Sequence, residues 1–371
     1  MIKESSREST IVKTSYVGIG INILLALFKA VVGLLANSIA IVLDAINNLS
    51  DALSSLITII GTKLANKPAD KGHPYGHGRI EYFSAVIIAF IVLGAGVASL
   101  VESVKKIINP GPSEYTFISI SIIAIAVVVK LLLGKHVMKV GKSVNSGALT
   151  ASGADALFDA VISTATLISA LVMMIWGISV DAWLGGLISI VIIKAGIDMT
   201  LKPINELLGK RIDTKLTKSI KVDVASIEGV QGAYDLLLHN YGPEEMVGSV
   251  HIEVEDTMSA SDIYNITKNI QHKIREKYNI FLTVGIYAIN SKDKTALDMQ
   301  KQMRAVIAKY KNIMQMHGLY INRELKIIQF DILVSFIEKD ALKLRQKVIT
   351  DINEIFPGYE IEINIDRDIT D

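Results

Sequence analysis

Two pairs of polar residues, Asn47 with Asp51 and Asp155 with Asp159, stand four apart inside long apolar runs. Residues four apart lie one turn from each other on the same face of a helix. An ionisable group inside a membrane span is costly and marks a functional site by default. Three carboxylates and one carboxamide on two such helices, packed together, would line a cage with oxygen. That ligand set suits a divalent cation, and it points to a metal-ion transporter. No Ser-His-Asp grouping, P-loop or Gly-rich nucleotide signature is present, so neither an enzyme nor a bound cofactor is expected.

The elements that would carry this cage are membrane helices. The chain has 371 residues, half of them hydrophobic, with a mean hydropathy of +0.42. That suits a membrane protein with an aqueous part. The apolar material dominates up to Pro203, after which charge rises. There is no cysteine, which excludes disulfides and thiolate metal sites. The net charge of +1 gives no argument for nucleic acid. The polar N-terminus, MIKESSREST, predicts no removable signal peptide, so the first span would act as the insertion signal.

A span needs about 20 apolar residues, and six candidates are read. They run from Thr14 to Leu35, Ser38 to Leu64 (with Asp44, Asn47 and Asp51), Ile80 to Ile108, Thr116 to Leu133, Gly147 to Trp176 (with Asp155 and Asp159) and Ala182 to Leu201. Asn109-Pro110-Gly111-Pro112 marks a turn after the third. Lys and Arg gather in the N-terminal tail, in the loops after spans two and four, and after span six; Lys105 and Lys106 are the exception. This bias predicts a multi-pass protein of the cytoplasmic membrane with both termini inside.

From Leu216 the pattern reads helix, strand, strand, helix, strand, and the order recurs from Ala296. The expected fold is therefore a six-helix transmembrane domain followed by an α+β domain (ferredoxin-like, αββαβ) that is repeated twice. The expected boundaries are a tail at 1–13, the membrane domain at 14–203, a linker at 204–213, a cytoplasmic α+β domain at 214–290 and a second α+β unit at 291–371.

Three segments carry a family resemblance. The second span reads Asp44-Ala-Ile-Asn-Asn-Leu-Ser-Asp51, the loop after it Pro68-Ala-Asp-Lys-Gly-His-Pro-Tyr-Gly-His77-Gly-Arg79, and the fifth span Ala154-Asp-Ala-Leu-Phe-Asp159. With six spans and a small α+β domain, they resemble the cation diffusion facilitator family from Ser15 to Ile289. The resemblance implies a homodimeric exporter in the lipid bilayer that exchanges a divalent cation for protons. By position, its transport site would be Asn47, Asp51, Asp155 and Asp159. The zinc members usually place His among these positions, and this chain has none. Oxygen-only ligands are hard and suit manganese better than zinc, so the set resembles the manganese branch. Export of Zn2+, Fe2+ or Co2+ is the rival within transport, and a membrane-embedded metal sensor the rival outside it. Three carboxylates in a poorly hydrated cage cannot all stay ionised without a cation. The empty cage is therefore expected to hold a shared proton, which metal would expel.

Other residues carry weaker signals. Asp44 lies on the same stripe and would be a relay group or the partner of a basic side chain. Asp70, His73 and His77 form a possible second site, since two imidazoles and a carboxylate are good divalent ligands. Alternatively the loop is held by hydrogen bonds, with Arg79 pairing with Glu206 or Asp213. In the α+β domain, Tyr234, Gly285 and Tyr287 stand where zinc-exporting relatives would have ligands. That leaves His239 and His251 as weak candidates. The added α+β unit at 291–371 offers only His317, with no metal constellation expected, and is assigned a larger dimer interface.

Overall fold

The computed structural model describes residues 2–35, 39–109, 117–176, 178 and 180–367, with side chains undescribed at 2–5, 33, 35, 39–44, 46, 118, 119 and 181. The expected turn at Pro110–Pro112 and the side chain of Asp44 lie outside the described residues. The chain divides into two compact units, 1–210 with 240–244, and 211–239 with 245–371.

The first unit is a bundle of α1 (Ile2–Leu35), α2 (Ile39–Ala65), α3 (Ile80–Ile108), α4 (Phe117–Ser143), α5 (Gly147–Trp176) and α6 (Asp181–Leu207). The most extensive packing is α4 on α5, α1 on α2 and α3 on α6. Among the described residues five segments are long and apolar enough to cross a membrane: Ser6–Val32, Ile80–Ile108, Ile120–Ser143, Gly147–Trp176 and Ala182–Leu207. The sixth expected span, α2, is a helix of 27 residues, but it carries Asn47, Asn48 and Asp51, and its 39–44 side chains lie outside the description.

The helices also outrun the apolar runs. The 34 residues of α1 extend about 51 Å at 1.5 Å per residue, against a hydrocarbon core of about 30 Å. The expected N-terminal tail is thus the first turns of α1. Arg7 fixes them. It is buried and pairs with Glu81 of α3 at 3.0 Å, and its Nε donates to Val144 O at 2.8 Å.

Close backbone approach brings α4 against α5. A Cβ on Gly153 would stand 2.5 Å from Met138 N, and one on Gly134 would meet Leu157 at 2.7 Å. Small residues at such crossings let membrane helices pack through van der Waals contact. Gly134 lies one turn after Lys130, and Gly153 two residues before Asp155, so this seam sets the spacing of the charged side chains described below.

The second unit holds α7 (Thr214–Ala225), β1 (Gly232–Asn240), β2 (Met246–Glu255), α8 (Ala260–Tyr278), β3 (Ile280–Ile289), α9 (Lys294–Ile307), β4 (Ile313–Asn322), β5 (Ile327–Val334), α10 (Ala341–Ile355) and β6 (Glu360–Arg367). The strands form two three-stranded sheets, β1-β2-β3 and β4-β5-β6. In each, the first two strands follow one another and the third pairs parallel to the second, Val250 opposite Val284 and Phe330 opposite Ile363. A parallel return needs a crossover, supplied by α8 and α10.

Strand alternation sorts the two faces of each sheet. Val250, Ile252 and Val254 pack with Ile220, Val224, Ile270 and Ile274 of the helices. Ile328, Phe330, Ile332 and Val334 do the same with Met303, Val348 and Ile352. The helix starts are capped in sequence: the Ser259 and Asp262 side chains form a capping box on α8, and Asp293 accepts from two backbone N–H groups of α9. The alternate residues, His251, Glu253, Asp331 and Leu333, belong to the faces away from these helices.

Candidate metal centre

Oxygen atoms of Asp51 on α2 and of Asp155 and Asp159 on α5 lie within 4.8 Å of one another. Asp155 is buried and the other two are half-buried. The helical spacing read in sequence explains Asp155 and Asp159, and packing of α2 against α5 adds Asp51. Asn47 lies one turn before Asp51 and is exposed.

The sequence reading missed a member of this cluster. Lys130 of α4 is buried, and its ammonium pairs with Asp51 and, at 2.9 Å, with Asp159. A lone lysine in the middle of the apolar run of α4 was the signal available. The cluster therefore contains a tethered cation beside three carboxylates.

Asp70, His73 and His77 also come together, in the loop between α2 and α3. Asp70 Oδ1 accepts from the backbone N–H groups of Gly72 at 2.8 Å and His73 at 2.7 Å. The His73 backbone donor is the main reason the Asp70 carboxyl lies below its ordinary range. The two imidazoles stand 4.3 Å apart by centroids, and His77 Nε2 is 3.6 Å from Asp70 Oδ2. His77 Nδ1 is buried without a hydrogen bond.

The expected partner of Arg79 is corrected. Arg79 donates from Nη2 and Nε to the carbonyl of Asn240 at 3.0 and 3.2 Å, and its guanidinium lies 4.4 Å over the Tyr241 ring. Glu206 instead accepts from Lys210, just beyond the end of its helix. Asp213, the other expected partner, is the N-cap of α7 and accepts from Lys215 N. A carbonyl and an aromatic face satisfy a guanidinium without a carboxylate.

In the second unit, His239 and His251 are not brought together. The hairpin turns at Gly242, so residues three before it and nine after it cannot face each other. His239 is exposed, whereas His251 Nδ1 lies 3.1 Å from Asp235 Oδ2 and its ring stacks on Tyr287. A Cβ on Gly285 would fall 2.1 Å from the His251 ring, which explains the glycine.

The expectation of no metal constellation around His317 is likewise corrected. Asp235, His317, Asp331 and Asp366 offer ligand atoms that all lie within 4.8 Å. Burial penalises the Asp235 carboxylate, but contacts with His251, His317 and Tyr287 outweigh it and hold the group well below its usual range. Burial also disfavours a His317 imidazolium, yet Asp235 and Asp366 raise the group to about 9. Burial, Asp331 and Asp235 keep the Tyr287 phenol protonated, so its single O–H is shared between Asp235 Oδ2 at 2.7 Å and Asp331 Oδ2 at 2.5 Å.

A bundle of long apolar helices with clustered carboxylates inside it defines a multi-pass membrane protein with an acidic interior. Residues 15–208 match the cation efflux transmembrane domain, and residues 212–286 match the cation efflux protein cytoplasmic domain. The chain belongs to the cation diffusion facilitator family of divalent metal efflux transporters, which are not enzymes. An uncharacterised transporter of Methanocaldococcus jannaschii is 30% identical over 259 residues, 70% of this chain and 91% of its own length. Two Bacillus subtilis proteins, the manganese efflux system proteins MneS and MneP, are 27% and 24% identical. They cover 71% and 74% of this chain and 90% and 94% of their own lengths. Residues 287–371 lie beyond both family matches.

Proposed function

We propose that this chain exports Mn2+ across the cytoplasmic membrane in exchange for protons, by alternating access. It would work as a homodimer of six-span subunits with both termini and the second unit inside the cell. Asn47, Asp51, Asp155 and Asp159 would be the transport ligands. The observation that carries this reading is the convergence of Asp51, Asp155 and Asp159 within the helix bundle.

The ligand chemistry supports manganese. All four side chains offer oxygen, and no imidazole stands among them. Carboxylate and carbonyl ligands suit manganese, whereas zinc sites lean on imidazole and thiolate. The names of the MneP and MneS relatives point the same way. Raw affinity would still favour zinc in vitro, so selectivity has to come from geometry and supply. Lys130 adds an element to the coupling. Its ammonium pairs with Asp51 and Asp159, so a cation that takes these oxygens would compete with it.

The test is flux of Mn2+, Zn2+, Fe2+ and Co2+ into proteoliposomes with and without a pH gradient. Mn2+ flux that follows the gradient is the expected result. Flux indifferent to the gradient sinks the antiport. Flux of Zn2+ alone sinks the ligand argument, and no flux from folded dimers moves the weight to a metal sensor. In the same assay, Asn47→His should raise the ratio of Zn2+ to Mn2+ flux about tenfold, a difference of about 1.4 kcal/mol. An unchanged ratio would mean that ligand softness at this position does not set selectivity.

A further inference from the structure

We propose that the two sheets of the second unit clamp a divalent first-row metal ion between them, on Asp235, His317, Asp331 and Asp366. One ligand comes from β1 of the first sheet and three come from β4, β5 and β6 of the second. Those three lie beyond the family matches, so this site belongs to the extension of the chain.

Register and faces bring the ligands together. His317 stands opposite Asp331, Asp331 opposite Asn364, and Asp366 two residues further along β6. All belong to the face of that sheet away from α9 and α10. From the first sheet, Asp235 reaches the group because it adopts φ 51, a left-handed conformation in which Asp is tolerated. Both sheets contribute to the surrounding contacts. The Tyr234 ring stacks on His317 at 4.8 Å, and Glu253 accepts from Gly318 N at 2.9 Å.

The imidazole points to a ligand. The His317 side chain is 1% exposed, and neither ring nitrogen makes a hydrogen bond. Its Nε2 stands 2.9 Å from Asp235 Oδ1 and 3.5 Å from Asp366 Oδ2, off the line of a ring N–H. Asp366 Oδ2 is buried without a hydrogen bond as well. His317 Nε2, Asp235 Oδ1 and Asp366 Oδ2 thus converge on one point. An outer layer is in place: Tyr287 shares its O–H between Asp235 and Asp331, His251 contacts Asp235, and Asn364 donates to Asp331 Oδ1 at 2.8 Å. Such contacts orient carboxylate ligands and fix their lone pairs. One nitrogen and three carboxylates fit Mn2+ or Zn2+.

The test counts bound Mn2+ on the purified full-length protein by equilibrium dialysis with electron paramagnetic resonance. The background is Asp51→Asn/Asp155→Asn, so the result does not depend on the transport reading. His317→Gln should lower the count by one ion per chain, and Asp366→Asn should weaken that ion's binding at least tenfold. Asp366 is half-buried, so its variant decides the matter if His317→Gln fails to fold. A count and affinity unchanged by Asp366→Asn would overturn the site. So would the absence of any bound ion that depends on His317, which would leave a plain ion-pair network.

Discussion

Asp155→Ala is expected to lower Mn2+ flux at least 100-fold while leaving the protein folded. Asp155 is the most buried of the three clustered carboxylates. Its loss would remove one anionic ligand where water cannot take its place. A 100-fold effect corresponds to about 2.8 kcal/mol, within reach of a single charged ligand. The choice of residue separates function from folding. Lys130 pairs with Asp51 and Asp159, not with Asp155, so both ion pairs survive the change. Asp51→Ala would also stop flux, but it would leave the buried ammonium with one partner and confuse the two effects. The measurement is Mn2+ uptake at saturating metal, beside the thermal stability of the same preparation. A residual rate above about one tenth of wild type, against the 1.4 kcal/mol that a tenfold change represents, would remove Asp155 from the transport site.

The sequence made the carboxylate cluster legible because its information is local. Four-residue spacing fixes Asp155 and Asp159 on one helix face, and apolar flanks make their presence costly. The order of helices and strands beyond Leu216 was legible for the same reason: helix, strand, strand, helix, strand was expected, and α7, β1, β2, α8 and β3 follow in that order. What stayed hidden depends on contacts distant in sequence. Lys130 meets Asp51 across 79 residues, and nothing in the apolar run of α4 names its partners. His317 read as a lone histidine because its neighbours come one per strand from β1, β5 and β6, with no common spacing. Asp235 was further disguised, since strand alternation places it on the opposite face from Tyr234, and only its positive φ re-aims it. The early start of α1 was hidden because MIKESSREST is polar, and the contacts of Arg7 are formed by distant segments.

Lys130→Met carries the second large expectation, because it separates two accounts of the same ion pairs. If the ammonium only braces the bundle, its removal should cost stability and leave binding otherwise unchanged. If it stands in for the departing cation, Mn2+ no longer competes with a tethered charge. Affinity should then rise at least tenfold, about 1.4 kcal/mol. Turnover should fall by a similar factor, since release would leave three carboxylates facing one another without a replacement cation. The metal-free variant should also lose stability, because removing one partner of a buried ion pair costs about 3–5 kcal/mol. The lower end is expected, as Asp159 is 33% exposed. Saturating Mn2+ should restore most of that loss, because a ligand that binds only the folded state stabilises it. Methionine keeps the length of the apolar stem, so packing along α4 is preserved. Tighter binding with slower turnover, measured by Mn2+ titration and proteoliposome flux on one preparation, would assign Lys130 to the exchange step. Unchanged affinity with lower stability would make it a brace, and the charge compensation in the empty cage would then rest on protons alone.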